Sequence, residues 1–190
     1  MAAGKVALFP ADTVYGLAAD PDSRTAVDRL YALKGRPPER PAAVMFFSLP
    51  AALDALPELP PATRAAFQRA LPGPLTLLVP NPRRRWPLAC GPEPGRLGVR
   101  VPELTGPLAP LGAASAPVLQ SSANPSGGPD PRRLADVDPS IRDGVAVALD
   151  GGDLPGTPST VVDLTRYEGA GRWRVLREGS IGADRLHDLL

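Results

Sequence analysis

The chain has 190 residues, 43% of them hydrophobic, and a formal net charge of +1. That length suits one α/β domain with a real core, and so small a charge excludes a global field that draws in nucleic acid. Single copies of cysteine (Cys90) and histidine (His187) exclude an intrachain disulfide, a thiolate-rich metal site and any Ser-His-Asp or Cys-His mechanism not built on one residue near the C-terminus.

No long charge-free apolar segment is present, and the N-terminus lacks an apolar signal core, so the expectation is a soluble cytoplasmic protein. Lys5–Phe9 reads as a strand closed by Pro10, beginning almost at Met1. Ala11–Gly16 follows as a loop. Asp22 or Ser23 offers a helix N-cap, and Ala26, Val27, Leu30, Tyr31 and Leu33 recur at helical spacing. This helix ends in Lys34-Gly35-Arg36-Pro37-Pro38-Glu39-Arg40-Pro41, which leads to a strand over Ala42–Phe47. Pro61–Leu71 reads as a helix, Leu75–Val79 as a strand, Asn81–Gly95 as an exposed Pro- and Arg-rich loop, and Leu97–Val101 as a strand carrying Arg100. Leu104–Ser115 reads as a proline-interrupted helix and Pro117–Gln120 as a strand entering Ser121–Gly128. Val145–Leu149, Ser159–Leu164 and Trp173–Leu176 read as strands, and Ala183–Leu189 as a helix with His187 on its wet face. Many strands and few helices predict one α/β domain over residues 1–190, with a twisted mixed sheet flanked by helices.

Only Lys5 and Lys34 are lysines among 21 basic residues. A compact ammonium kept in so arginine-rich a chain suits a phosphate, although cation, glycine and proline in succession also make an ordinary helix C-terminus. Thr13, the Lys34–Arg40 stretch, Ser122 with Asn124, and Ser159 with Thr160 all follow strand or helix ends. Arg100 in an apolar run must face solvent or a ligand cavity, because an unpaired buried charge is too costly. Brought together, these residues form a cationic bowl with hydrogen-bonding walls and no obvious acid–base or nucleophilic group. Such a site suits phosphoryl chemistry, where positioning and charge stabilisation are most of the task.

Six blocks now resemble those of the YrdC/Sua/YciO family and come in its order: Pro10-Ala11-Asp12-Thr13-Val14-Tyr15-Gly16-Leu17, Lys34-Gly35-Arg36-Pro37, Pro72-Gly73-Pro74-Leu75-Thr76, Val99-Arg100-Val101-Pro102, Ser122-Ala123-Asn124-Pro125-Ser126-Gly127 and Ser159-Thr160-Val161-Val162-Asp163. The length is similar to the short TsaC-like members. The resemblance implies a YrdC-like domain around a cationic cavity, and L-threonylcarbamoyladenylate synthesis: L-threonine, bicarbonate and ATP give threonylcarbamoyl-AMP and pyrophosphate. The product passes to a tRNA threonylcarbamoyl transferase complex. ATP enters as a substrate carrying Mg2+, and no metal is held by the protein. The resemblance implies that Lys34, Arg36, Arg40, Ser122, Asn124 and Arg177 bind ATP, with Lys34 and Arg36 catalytic, and that Thr13, Arg100 and Ser159 bind threonine. Phosphate-facing cations of this kind are expected to matter for activity and little for folding.

Four positions depart from the family pattern. Ala11 stands in place of a threonine, Met45 in place of a histidine found in some members, Gln120 in place of a small residue, and Glu178 in place of a proline. Met45 and Gln120 bear on amino-acid choice, and Glu178 on the tilt of Arg177. Family members usually carry a helix before the first strand, so its absence points to a start assigned downstream of the true one or to a shortened wall. Two other readings stay open. One is a carbamoyl-adenylate-forming paralogue of the YciO or hydrogenase-maturation type. The other is an RNA-binding ribosome-assembly factor with weak affinity for tRNA or double-stranded RNA, against which the 5% aromatic content counts.

Overall fold

A computed structural model describes residues 4–190. In chain order the elements are β1 (Ala7–Pro10), β2 (Tyr15–Ala19), α1 (Arg24–Lys34), β3 (Ala43–Met45), α2 (Leu49–Ala55), α3 (Pro61–Ala70), β4 (Leu75–Pro80), α4 (Pro87–Cys90), β5 (Arg96–Arg100), β6 (Val118–Ser122), α5 (Pro139–Gly144), β7 (Val147–Ala148), β8 (Thr160–Asp163), β9 (Arg174–Arg177) and α6 (Ala183–Leu189). The strands form one mixed sheet in the order β7-β1-β2-β6-β3-β5-β4-β8-β9. β1/β7, β3/β5 and β4/β8 pair in parallel, and the other neighbours are antiparallel.

Alternation along the central strands assigns the two faces. Leu75, Leu77 and Val79 of β4, Leu97 and Val99 of β5, Val44 of β3, Leu119 of β6 and Val162 of β8 enter the main core with Leu30 and Tyr31 of α1 and Phe67 of α3. Burying each such leucine contributes roughly 1.5–3 kcal/mol. The residues between them, Thr76, Leu78, Gly98, Arg100, Ala43, Gln120, Ser122 and Val161, line a cavity on the opposite face. Beside it Phe9, Ala11, Ala18, Met45 and Val118 form a second, smaller apolar cluster. Small and polar side chains on one face of otherwise apolar strands therefore leave room for a site.

Several expectations from the sequence need correction. The Ala11–Gly16 loop is shorter than expected, because Tyr15–Ala19 continues as β2 and pairs back onto β1. Asn81–Gly95 is not simply an exposed loop: it contains α4, and Asn81, Ala89 and Cys90 are buried. The Asn81 amide organises it, donating to the carbonyls of Arg85 and Pro94 while its oxygen accepts from Arg85 N. Within the Arg83-Arg84-Arg85 run, Arg85 pairs with Glu58 at 2.7 Å. Leu104–Ser115 contains a 3-10 helix, Gly106–Ala113, rather than an α-helix. The short helices α2 and α5 carried no readable period; each begins at a side-chain cap, Ser48 or Asp138, with proline in its first turn.

Candidate functional site

Two capping events place the cations at the end of α1. Ser23 Oγ accepts from Ala26 N at the start of the helix. At its end Gly35 takes φ of +57°, its N–H reaches Ala32 O, and Arg36 N reaches Tyr31 O. This left-handed turn is cheap for glycine and reverses the chain within one residue. Lys34 thereby turns inward, while Arg36 emerges beside the cavity.

Lys34 is 3% exposed. Its Nζ donates to Ser122 O, to Asn124 O at 2.6 Å and to Asn124 Oδ1 at 3.0 Å. Burial, reinforced by the Arg36 charge and opposed by Asp130, lowers its pKa from 10.5 to about 8. The exposure assumed in expecting Lys34 to matter little for folding is not found: the ammonium is an internal tie beneath the serine–asparagine loop and does not line the cavity. Asn124 is likewise consumed within the loop. Its oxygen accepts from Lys34 and from Ser122 Oγ, and its nitrogen donates to Gly128 O. Ser126 N returns to Lys34 O, and Gly128 N to Pro125 O. From this loop, Ser121 and Ser122 reach the cavity.

Arg100, 3% exposed, donates through Nη2 to Asp12 Oδ1 and Thr13 Oγ1. Asp12 also accepts from Glu103 N. The β1–β2 loop is in this way drawn to the end of β5. Thr13 lies beneath that contact and does not line the cavity. Ser159 Oγ lies 2.8 Å from Thr76 Oγ1, and Arg177 Nη2 donates to Ser159 O and Oγ. Burial lowers the pKa of Arg177; the charges of Arg100 and Arg36 act the same way, and Asp130 opposes them. Thr160 turns away, exchanging hydrogen bonds with Ile181.

The resulting cavity has a volume of about 240 Å3. Arg36, Arg100, Ser122, Ser159 and Arg177 line it; Thr13, Lys34 and Asn124 stand behind its wall, and Arg40 is exposed on the loop with its carbonyl bonded to Tyr31 Oη. The Nε groups of Arg36 and Arg100 are buried without a partner. Orphaned donors of this kind are costly unless an anion or water meets them. Asp12, Thr76 and Asp130 were not assigned roles from the sequence. The first two lay within recognised blocks, and Thr76 was legible as a hydroxyl in an apolar strand.

Gly179 fixes Arg177. A Cβ there would fall 2.3 Å from Pro158 O and 2.6 Å from Thr160 N, both backbone atoms that cannot yield cheaply. Gly179→Ala is therefore expected to push Ser159 and Arg177 apart, lowering both the melting temperature and nucleotide affinity. Differential scanning calorimetry and ATP titration check this, and unchanged values for both would show that the turn is compliant.

The Sua5/YciO/YrdC family, described as Telomere recombination, matches residues 1–179. The threonylcarbamoyl-AMP synthase of Pyrococcus abyssi is 30% identical over 98% of this chain, which spans about half (54%) of that relative's length. The threonylcarbamoyl-AMP synthase of Chromohalobacter salexigens is 36% identical over 87% of this chain and 89% of its own. Among solved structures, P. abyssi Sua5 complexed with L-threonine superposes with a TM-score of 0.75 at 29% identity, covering 98% of this chain and 54% of that one. E. coli YciO shares the fold, with a TM-score of 0.76 at 22% identity over 96% of this chain and 87% of its own. A mixed sheet with one face cleared for a cationic cavity, and a match running through nearly every element that lines it, lead to one conclusion: the chain belongs to the Sua5/YciO/YrdC family.

Proposed function

We propose that this chain is an L-threonylcarbamoyladenylate synthase, forming threonylcarbamoyl-AMP and pyrophosphate from L-threonine, bicarbonate and ATP for threonylcarbamoyladenosine modification of tRNA. The observation that carries the reading is the convergence of three guanidinium groups, Arg36, Arg100 and Arg177, on one cavity whose remaining polar lining is hydroxyls and an amide. Bicarbonate takes up a proton and loses water to give carbon dioxide; the threonine amine, as its free base, adds to that carbon and releases a proton, giving a carbamate without an enzymic nucleophile. The carbamate oxygen then attacks the α-phosphorus, the bond to the bridging oxygen breaks, and pyrophosphate leaves with the electron pair. Carbamate, triphosphate and pyrophosphate are all anions, so fixed cations that hold them in line lower the barrier. Arg36 and Arg177 serve the phosphates in this reading, and Arg100 the threonine carboxylate. Mg2+ travels on the triphosphate oxygens; among the described residues no group of three or more His, Cys, Asp or Glu is arranged to hold it. The product is handed to a tRNA threonylcarbamoyl transferase complex.

The test is incubation with ATP, bicarbonate and labelled amino acids, following pyrophosphate release and threonylcarbamoyl-AMP. Threonine is expected to be the preferred substrate, with serine roughly 10-fold poorer for lack of one methyl and alanine or valine poorer still for lack of the hydroxyl. Pyrophosphate release indifferent to any amino acid would favour the carbamoyl-adenylate paralogue instead. Salt-dependent RNA binding without turnover would favour an RNA-binding factor.

A further inference from the structure

Gln120 sits in the middle of β6, facing Ala18 on β2 and Ala43 on β3. It is 5% exposed, it lines the cavity, and its side-chain amide makes no hydrogen bond to any described residue. The fold makes room for it. A Cβ on Gly16 of the neighbouring strand would fall 2.7 Å from Gln120 Nε2. A long polar side chain set among small residues, with neither its donor nor its acceptor used by the described residues, leaves both open to the cavity for a ligand to meet.

Most of the other hydroxyls at the cavity are already engaged. Thr13 Oγ1 accepts from Arg100 and lies behind the wall. Ser159 Oγ is shared between Thr76 and Arg177. Ser122 Oγ donates to Asn124. The guanidinium groups of Arg36, Arg100 and Arg177 are suited to anions and carry no acceptor. A neutral hydroxyl, which needs one donor and one acceptor, is matched in this cavity by the Gln120 amide, which offers both on one planar group; Ser121, which also lines the cavity, offers a single short hydroxyl.

We propose that Gln120 is the specificity-determining residue that reads the side-chain hydroxyl of the amino-acid substrate, a role that rests on the synthase reading above. The amide oxygen accepts the substrate hydroxyl proton, and the amide N–H donates to the same oxygen or to the carboxylate beside it. Gly16 is part of the device, because a side chain there displaces the amide.

The experiment compares kcat/KM for threonine and for 2-aminobutyrate, which lacks only the hydroxyl, in the wild type, Gln120→Met and Gln120→Ser. Gln120→Met keeps the volume and removes the amide; Gln120→Ser is the smaller alternative should the thioether pack badly. The wild type is expected to favour threonine by more than about tenfold, in line with one buried hydrogen bond, and both variants to lose most of that preference while the KM for ATP stays within about twofold. Gln120→Met is also expected to melt close to the wild type, because the amide it removes makes no hydrogen bond to a described residue. Wild-type preference kept in both variants, or a wild type that uses both amino acids equally, overturns the role of Gln120 and leaves the synthase reading intact. Pyrophosphate release that ignores every amino acid overturns both.

Discussion

Lys34→Met is expected to reduce adenylate synthesis by about 10²-fold, the scale of a misplaced active-site wall, and to weaken the fold as well. The two effects have one cause. Nζ holds the backbone carbonyls of Ser122 and Asn124 together with the Asn124 side chain, and so sets where Ser122 stands in the cavity. Without the ammonium the buried Asn124 carbonyl loses its partner, at about 1–3 kcal/mol, and the partly buried Ser122 carbonyl loses one at less, partly offset by relief of a desolvated charge. Arg36→Ala is the control: Arg36 lines the cavity and is half-buried, so its loss should raise the KM for ATP with little change in melting temperature.

The lowered pKa of Lys34 adds a pH signature. Its folded-state value is about 8 against an ordinary 10.5, so between those values the unfolded chain binds the proton more tightly than the folded one. Stability from this group therefore rises with pH across that window, and the penalty for holding the charge is complete below pH 8. The stability advantage of the wild type over Lys34→Met should grow from pH 8 to pH 10.5. Chemical denaturation at several pH values reads it directly. A flat difference, with activity lost and stability kept, would return Lys34 to an exposed phosphate ligand.

Much of the fold was legible because its signals are local. The Ser23 cap, the apolar spacing of α1 and its Gly35 stop gave a helix to within a residue or two, and the apolar runs gave β4, β5, β6 and β8. β2 was missed because Tyr15–Ala19 is buried throughout and shows no alternation, and its pairing with β1 and β6 is a long-range fact. The site residues were legible as types, since hydroxyls and cations stood at strand and helix ends. Their division into wall and support was not. Which of Lys34 and Arg36 faces the cavity depends on one left-handed residue, Gly35, between them. Whether Thr13 or Gln120 offers a free polar group depends on which hydroxyl Arg100 has already taken.

Arg100 is where the largest loss of amino-acid binding is expected, and its variants separate folding from function. The guanidinium holds Asp12 and Thr13 with one nitrogen, its Nε is buried without a partner, and the residue lines the cavity that holds the threonine carboxylate in the proposed reaction. Arg100→Ala leaves Asp12, whose side chain is 7% exposed, as a buried carboxylate without its cation, and should destabilise the protein by about 3–5 kcal/mol. Arg100→Lys keeps a charge for Asp12 but offers no planar fork, so the protein should fold while the KM for threonine rises about 100-fold and that for ATP changes little. Arg100→Met combined with Asp12→Asn removes both charges together, and should recover most of the stability lost in Arg100→Ala without recovering synthesis. Thermal melts of the three variants beside threonine and ATP titrations make the comparison. If Arg100→Lys binds threonine as the wild type does, Arg100 serves only to anchor the β1–β2 loop, and the carboxylate of the substrate must be met by Arg36 or Arg177.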